Sequence, residues 1–187
     1  MGARSGLLVR QRLALEAARK IDVVLFDKTG TLTKGEYGVD KIIPNVQDNF
    51  SDNQVLAVAA SVDSHSEHFI ARAIVREAQE RELKLSEVRD FRRLPGKGVE
   101  GVVGGMSVLI GGETIFQEIS PYFSHEIKHE AEHLAKQGKT IIFVIVNKKL
   151  AGLIALADVI REESRAAIGS LKKLGAKVAM ITGDSED

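Results

Sequence analysis

Apolar positions along this chain follow two rhythms, and together they divide it into strands and helices. Residues 21–26 (IDVVLF) form a short apolar run rich in β-branched side chains, ended by Asp27. Such a run predicts a strand buried in a parallel sheet. Residues 176–181 carry a similar run at the other end of the chain and lead straight into Thr182-Gly183-Asp184. Helical periodicity marks residues 52–60, capped by Ser51 or Asp52, and residues 66–83, capped by Ser66. Strands are expected over 88–94, 99–103 and 107–110, separated by PGKG and GG turns. A polar helix over 121–137 precedes strands over 140–146 and 150–157, joined by a tight turn at 147–149. The last helix, 161–174, closes on Gly175, placed where a left-handed residue ends a helix. The first twenty residues read as an amphipathic lead-in helix.

The two strands that end in acidic, glycine-containing loops lie far apart in sequence. Between them stands a self-contained α+β block, residues 37–156. The expected architecture is an α/β sheet domain, made of residues 21–36 and 157–187, interrupted by an inserted domain with an antiparallel sheet. One strand–helix–strand segment cannot easily cover both faces of a parallel sheet, so the sheet domain is expected to be truncated.

Composition narrows the function classes. The chain has 187 residues, with 26 basic and 26 acidic side chains and no cysteine. A net charge of zero supplies no field toward nucleic acid or anionic membrane. The absence of cysteine excludes disulfides and thiolate metal sites. No apolar run approaches the ~20 residues of a membrane helix. Arg10, Arg12 and Glu16 interrupt any signal-peptide core.

The candidate chemistry begins at Asp27. Sites in open α/β sheets form at the carboxyl ends of strands. A carboxylate there can attack phosphorus and become an aspartyl phosphate. Backbone N–H groups of the following glycine loop can cradle phosphate, and Thr29 and Thr31 can add hydroxyls. Mg²⁺ would offset repulsion between the carboxylate and the phosphate oxygens. Taken alone, Asp-x-x-Gly is an ordinary turn after a strand, and Thr182-Gly183-Asp184 is another.

The longer string DKTGTLT, residues 27–33, resembles the phosphorylation signature of P-type ATPases, within the haloacid dehalogenase superfamily. That resemblance implies a Rossmann-like phosphorylation domain in which Asp27 accepts the γ-phosphate of ATP. It implies phosphate contacts from Lys28, Thr29, Thr182 and Gly183, and Mg²⁺ ligation by Asp27 and the Thr29 carbonyl. Related phosphatases carry a second Asp two residues after the nucleophile. Thr29 stands there instead, which implies slow hydrolysis of the acyl phosphate and a persistent phosphoenzyme. The family's phosphate-binding Lys and its GDGxND loop are absent from the sequence, so the Mg²⁺ site is expected to be incomplete.

Other strings carry the same resemblance. SEHFIARAI, residues 66–74, is similar to the SEHP-type motif of the heavy-metal branch, with Phe69 where the family has Pro. It implies that His68, with Glu67 and Asp63, meets the adenine end of ATP. A histidine beside a helix N-terminus is disfavoured in its charged form, and a neutral imidazole can stack on or hydrogen-bond an adenine. PGKGVEG, residues 95–101, resembles the family's GxG nucleotide loop and implies Gly96, Gly98 and Val99 in the ATP pocket. Gly111-Gly112 stands near the family's Gly-Asn and adds Gly111. The implied parent is a copper-branch pump with membrane helices and an actuator domain, and this chain lies on its cytoplasmic face. A nucleotide-binding module without turnover and a soluble phosphatase remain the alternatives.

Two features are open to plainer readings. Asp158 matches a hinge-region acid of the family, or is a helix N-cap. His125, His129 and His133 share a helical face at spacings that can bind a transition metal, but their glutamate-rich setting fits a solvated helix.

Overall fold

Two separate sheets organise the molecule. The computed structural model describes residues 20–45, 49–119 and 124–181. The described residues up to Gly35 and from Ile160 onward form one unit; Glu36–Val159 form the other.

The smaller unit pairs β1 (Val23–Asp27) with β8 (Lys177–Ile181) in parallel, in a register that sets Asp27 beside Ile181. Helix α5 (Glu162–Lys173) packs on β8. Gly175, at φ 87°, makes the left-handed turn between them. These strands were expected to be buried, and they are not. Val23, Leu25, Met180 and Ile181 are each about half exposed or more, because a two-stranded sheet with one described helix leaves apolar surface uncovered. The amphipathic helix expected over 1–20 and the Thr182-Gly183-Asp184 loop lie outside the described residues.

The larger unit is a six-stranded sheet in the order β2-β7-β6-β5-β4-β3, antiparallel from β7 to β3. Its strands are β2 (Thr33–Pro44), β3 (Val88–Leu94), β4 (Gly98–Val103), β5 (Met106–Gly111), β6 (Thr140–Val146) and β7 (Lys149–Ile160). Helices α1 (Asp52–Asp63) and α2 (Phe69–Glu80) cover one face, where Val55, Leu56 and Ile74 meet Val108, Val144 and Ile154. The short α3 (Glu113–Ile119) and α4 (His125–Lys136) cover the other, where Ile115 and Leu134 meet Phe143, Ile145 and Leu153. Cover on both faces explains why β6 reads as an unbroken apolar run although its neighbours are antiparallel. Alternate β6 residues simply enter different cores.

Several elements differ from expectation. β2 and α3 fall in segments that show no clean periodicity and to which the sequence assigns no strand or helix. The helix expected from Ser66 begins at Phe69, with His68 as its N-cap. It stops at Glu80, two residues before Glu82 turns left-handed at φ 56°, and the Leu83 N–H closes the end on the Ala78 carbonyl. Asp158 lies inside β7 rather than at a helix N-cap; Arg161 takes that position for α5.

Candidate functional site

Seven of the residues singled out from sequence come together in the larger unit. Asp63, Glu67, His68, Gly96, Gly98, Val99 and Gly111 all line one cavity of about 640 Å³. They arrive from three places: the α1–α2 connection, the β3–β4 turn with the start of β4, and the end of β5. The cavity is of a size that accepts a small-molecule ligand.

Asp63 is on the buried stripe of α1, one turn beyond Ala59 and Ala60, and is only 4% exposed. Burial pushes its carboxyl up to about 7 from an ordinary 3.8. Near neutrality it is therefore divided between an acid that can donate a hydrogen bond and a carboxylate that accepts one. The periodicity Leu56-Ala60-Asp63 carries the signal for its burial.

His68 is fixed by local hydrogen bonds. Its Nδ1 accepts from the Ile70 N–H at 3.3 Å, and its own N–H donates to Ser66 Oγ at 3.3 Å. The cap places the ring proton on Nε2, the nitrogen left to serve as a donor. Phe69 stacks against the imidazole with ring centroids 4.3 Å apart, and Tyr37 packs on Phe69 at 5.1 Å. The residue that departs from the SEHP pattern thus supports the histidine beside it.

The glycines have different reasons to be glycine. Gly96, at φ 72°, makes the turn after Pro95 and has open space where a side chain would stand. Gly98 pairs with Gly111 across β4 and β5. A Cβ on Gly98 would lie 1.9 Å from the Ile110 carbonyl oxygen, and one on Gly111 would lie 2.2 Å from the Lys97 carbonyl oxygen. These two glycines are required by backbone packing at the cavity wall, before any ligand arrives. A bulky substitution at Gly98 therefore tests the sheet as much as the ligand.

Further wall residues went unmarked in the sequence. Arg93, Lys97, Thr140 and Ile142 also line the cavity. Arg93 could have been found from its position two residues before Pro95, on the strand that hairpins onto Val99.

In the smaller unit, Asp27 ends β1 and is exposed. A wide turn over Lys28–Leu32 follows, with Gly30 at φ 79°. Buried Thr33 closes it: Thr33 Oγ1 donates to the Lys28 carbonyl at 3.0 Å and accepts from the Gly30 N–H at 3.2 Å. That Gly30 N–H, expected to cradle phosphate, is already used by the turn. The start of α5 holds the same loop. Arg161 donates from Nε to the Thr33 carbonyl at 3.0 Å and from Nη2 to the Gly30 carbonyl at 3.3 Å. Ser164 Oγ and the Arg161 N–H both donate to the Leu32 carbonyl. Sequence reading assigned neither Thr33 nor Arg161 a role.

The Asp27 carboxylate and the Thr29 carbonyl are hard oxygen donors, chemically suited to Mg²⁺. They supply two of about six ligand positions. Among the described residues no group of three His, Cys, Asp or Glu side chains is placed to hold a metal, and the three histidines of α4 do not form one. His133 instead pairs with Gln137 at 2.8 Å.

Over 189 aligned residues the chain is 46% identical to the copper-exporting P-type ATPase B of Archaeoglobus fulgidus, covering 99% of this chain and 26% of that protein. Copper-transporting ATPase 1 of Rhizobium meliloti is 41% identical over 98% of this chain and 22% of its own length. The chain thus spans about a quarter of the curated relatives it matches. The crystal structure of a zinc-transporting PIB-type ATPase superimposes with a TM-score of 0.87 at 36% identity, over 98% of this chain and 29% of that one. The haloacid dehalogenase-like hydrolase model matches residues 21–187, and the chain belongs to that family.

Proposed function

We propose that this chain is the ATP-binding and phosphoryl-accepting region of a P-type pump for a transition metal, with copper the first candidate. The observation that carries the reading is the meeting of Asp63, Glu67, His68 and the Gly96–Val99 turn in one cavity, on a unit inserted between the DKTGTLT loop and β8. The matched P-type ATPases, copper-transporting and zinc-transporting, support the same reading.

In this reading the cavity holds ATP, with the base against His68 and Asp63. An Asp27 carboxylate oxygen attacks the γ-phosphorus, the bond to the β-phosphate oxygen breaks, and ADP leaves. Thr33, Arg161 and Ser164 hold the acceptor loop in one shape, so little reorganisation is required at the moment of attack. The family resemblance assigns phosphate binding to Thr182 and Gly183 as well. The Asp27 carboxylate and the Thr29 carbonyl would hold Mg²⁺, which would offset the repulsion between that carboxylate and the phosphate oxygens. No described helix is long and apolar enough to cross a membrane. By the likeness to the matched pumps, membrane helices and an actuator domain are partners supplied by the parent pump, and the region works on its cytoplasmic face. Phosphorylation there biases the membrane part between two access states.

Incubation with γ-labelled ATP and Mg²⁺ tests the reading. An acid-stable, hydroxylamine-labile label that disappears in Asp27→Asn is the expected result in the parent pump. ATP binding without label in that setting would indicate a nucleotide-binding module. Rapid release of phosphate from small phosphomonoesters would indicate a phosphatase.

A further inference from the structure

Charge is segregated around the cavity. Its acidic lining residues, Asp63 and Glu67, come from the α1–α2 connection, and its cationic ones, Arg93 and Lys97, come from the β3–β4 turn region. The two cations differ. Lys97 is paired through Nζ with Glu118 of α3, a half-exposed ion pair that offsets part of its charge. Arg93 has no carboxylate within ion-pair distance among the described residues. Its neighbour Arg92 is the one that faces Glu100, at 3.7 Å, across the same pair of strands. Arg93 lies directly opposite Val99 in the β3–β4 register, and opposed residues share a face of the sheet. Val99 and Arg93 therefore both project to the cavity side.

A ligand matching this lining has a neutral, hydrogen-bonding end toward the acids and an anionic end toward the turn. Carboxylates repel phosphates, which fixes the orientation of a nucleotide. A guanidinium presents a fork that fits phosphate oxygens in pairs. We infer that Arg93 receives the phosphate chain of the bound nucleotide and makes affinity depend on the number of phosphates, with Lys97 kept as a weaker second contact by Glu118. This inference rests on the nucleotide reading of the cavity.

Calorimetric titration of the full chain with adenosine, ADP and ATP, in magnesium-free buffer, tests it. Arg93→Gln is expected to weaken ATP by roughly tenfold, ADP by less, and adenosine by under about twofold. Adenosine binding thus doubles as the control for folding. The salt dependence of ATP binding should become shallower in the variant. Glu118→Gln, which releases Lys97, should tighten ATP by about two- to threefold and leave adenosine unchanged. Equal weakening of all three ligands by Arg93→Gln, or no weakening of ATP, overturns the role of Arg93 while the nucleotide site stands. A parent chain that binds neither adenosine nor ATP overturns the nucleotide reading, and this inference with it.

Discussion

The two sheets of this chain treat similar sequences in opposite ways. β7 and β1 are both aliphatic runs, yet Ile154 in β7 is completely buried while Leu25 in β1 is 60% exposed. The difference lies in what surrounds each strand. β7 is flanked by β2 and β6, with α1 and α2 on one face and α3 and α4 on the other. β1 has a single partner strand. Hydrophobicity along a sequence says that a residue can be buried; the number of layers around it decides whether it is.

The sharpest way to break that comparison is a matched pair of truncations. Ile154→Ala should destabilise the larger unit by about 2–5 kcal/mol, since it opens a cavity in a closed core. Leu25→Ala should change stability by about 0.5 kcal/mol or less. Equal losses in urea melts would remove the distinction.

A second test uses pH. The carboxyl of Asp63 is raised in the folded state, so folding holds its proton more tightly than the unfolded chain does. Below about 3.8 burial of the neutral acid carries no ionic penalty. Between about 3.8 and about 7 the unfolded chain gives up this proton while the folded one keeps it, so the penalty builds over that range and the larger unit loses stability on the order of 4 kcal/mol. Asp63→Asn should flatten that fall and melt later than the parent at pH 8. A parent whose stability is level from pH 4 to pH 8 would contradict the burial argument.

The smaller unit can be probed through its clamp. Arg161→Ala should cost about 1–3 kcal/mol of local stability and speed amide exchange over residues 28–33, while leaving exchange in β6 unchanged. The smallest effect belongs to the aromatic stack. A double-mutant cycle on Tyr37 and Phe69 should return a coupling of about 0.5–1 kcal/mol in thermal melts.

Much of this organisation was legible in the sequence, for identifiable reasons. β6 announced itself because both of its faces are apolar, and the 147–149 turn because Asn147 and Lys148 sit at positive φ where a two-residue hairpin turn requires it. The seven cavity residues were found through short strings whose glycines and histidine have few interchangeable substitutes. β2 was missed because TKGEYGVDKIIP alternates poorly and contains two glycines. The start of α2 was misplaced because Ser66 is a good cap by type, whereas the actual cap is an imidazole nitrogen. Arg93, Thr33 and Arg161 were missed because three-dimensional contacts, not residue type, set what they do. Arg93 is placed by strand register, Arg161 binds carbonyls more than 120 residues away in sequence, and Thr33 closes its own loop through a side-chain geometry that a string of residue types does not encode.

β2 and β7 are neighbours in the six-stranded sheet. The chain therefore passes into the larger unit and out of it on adjacent strands, which bring together the two ends of the 124 residues from Glu36 to Val159. For the host sequence such an insertion is thermodynamically small: joining neighbouring ends depends only weakly on how much chain lies between them. Insertions of this kind can be enlarged, trimmed or exchanged during evolution without redesign of the host. That connection makes the larger unit a replaceable part, free to diversify while the DKTGTLT loop stays as it is.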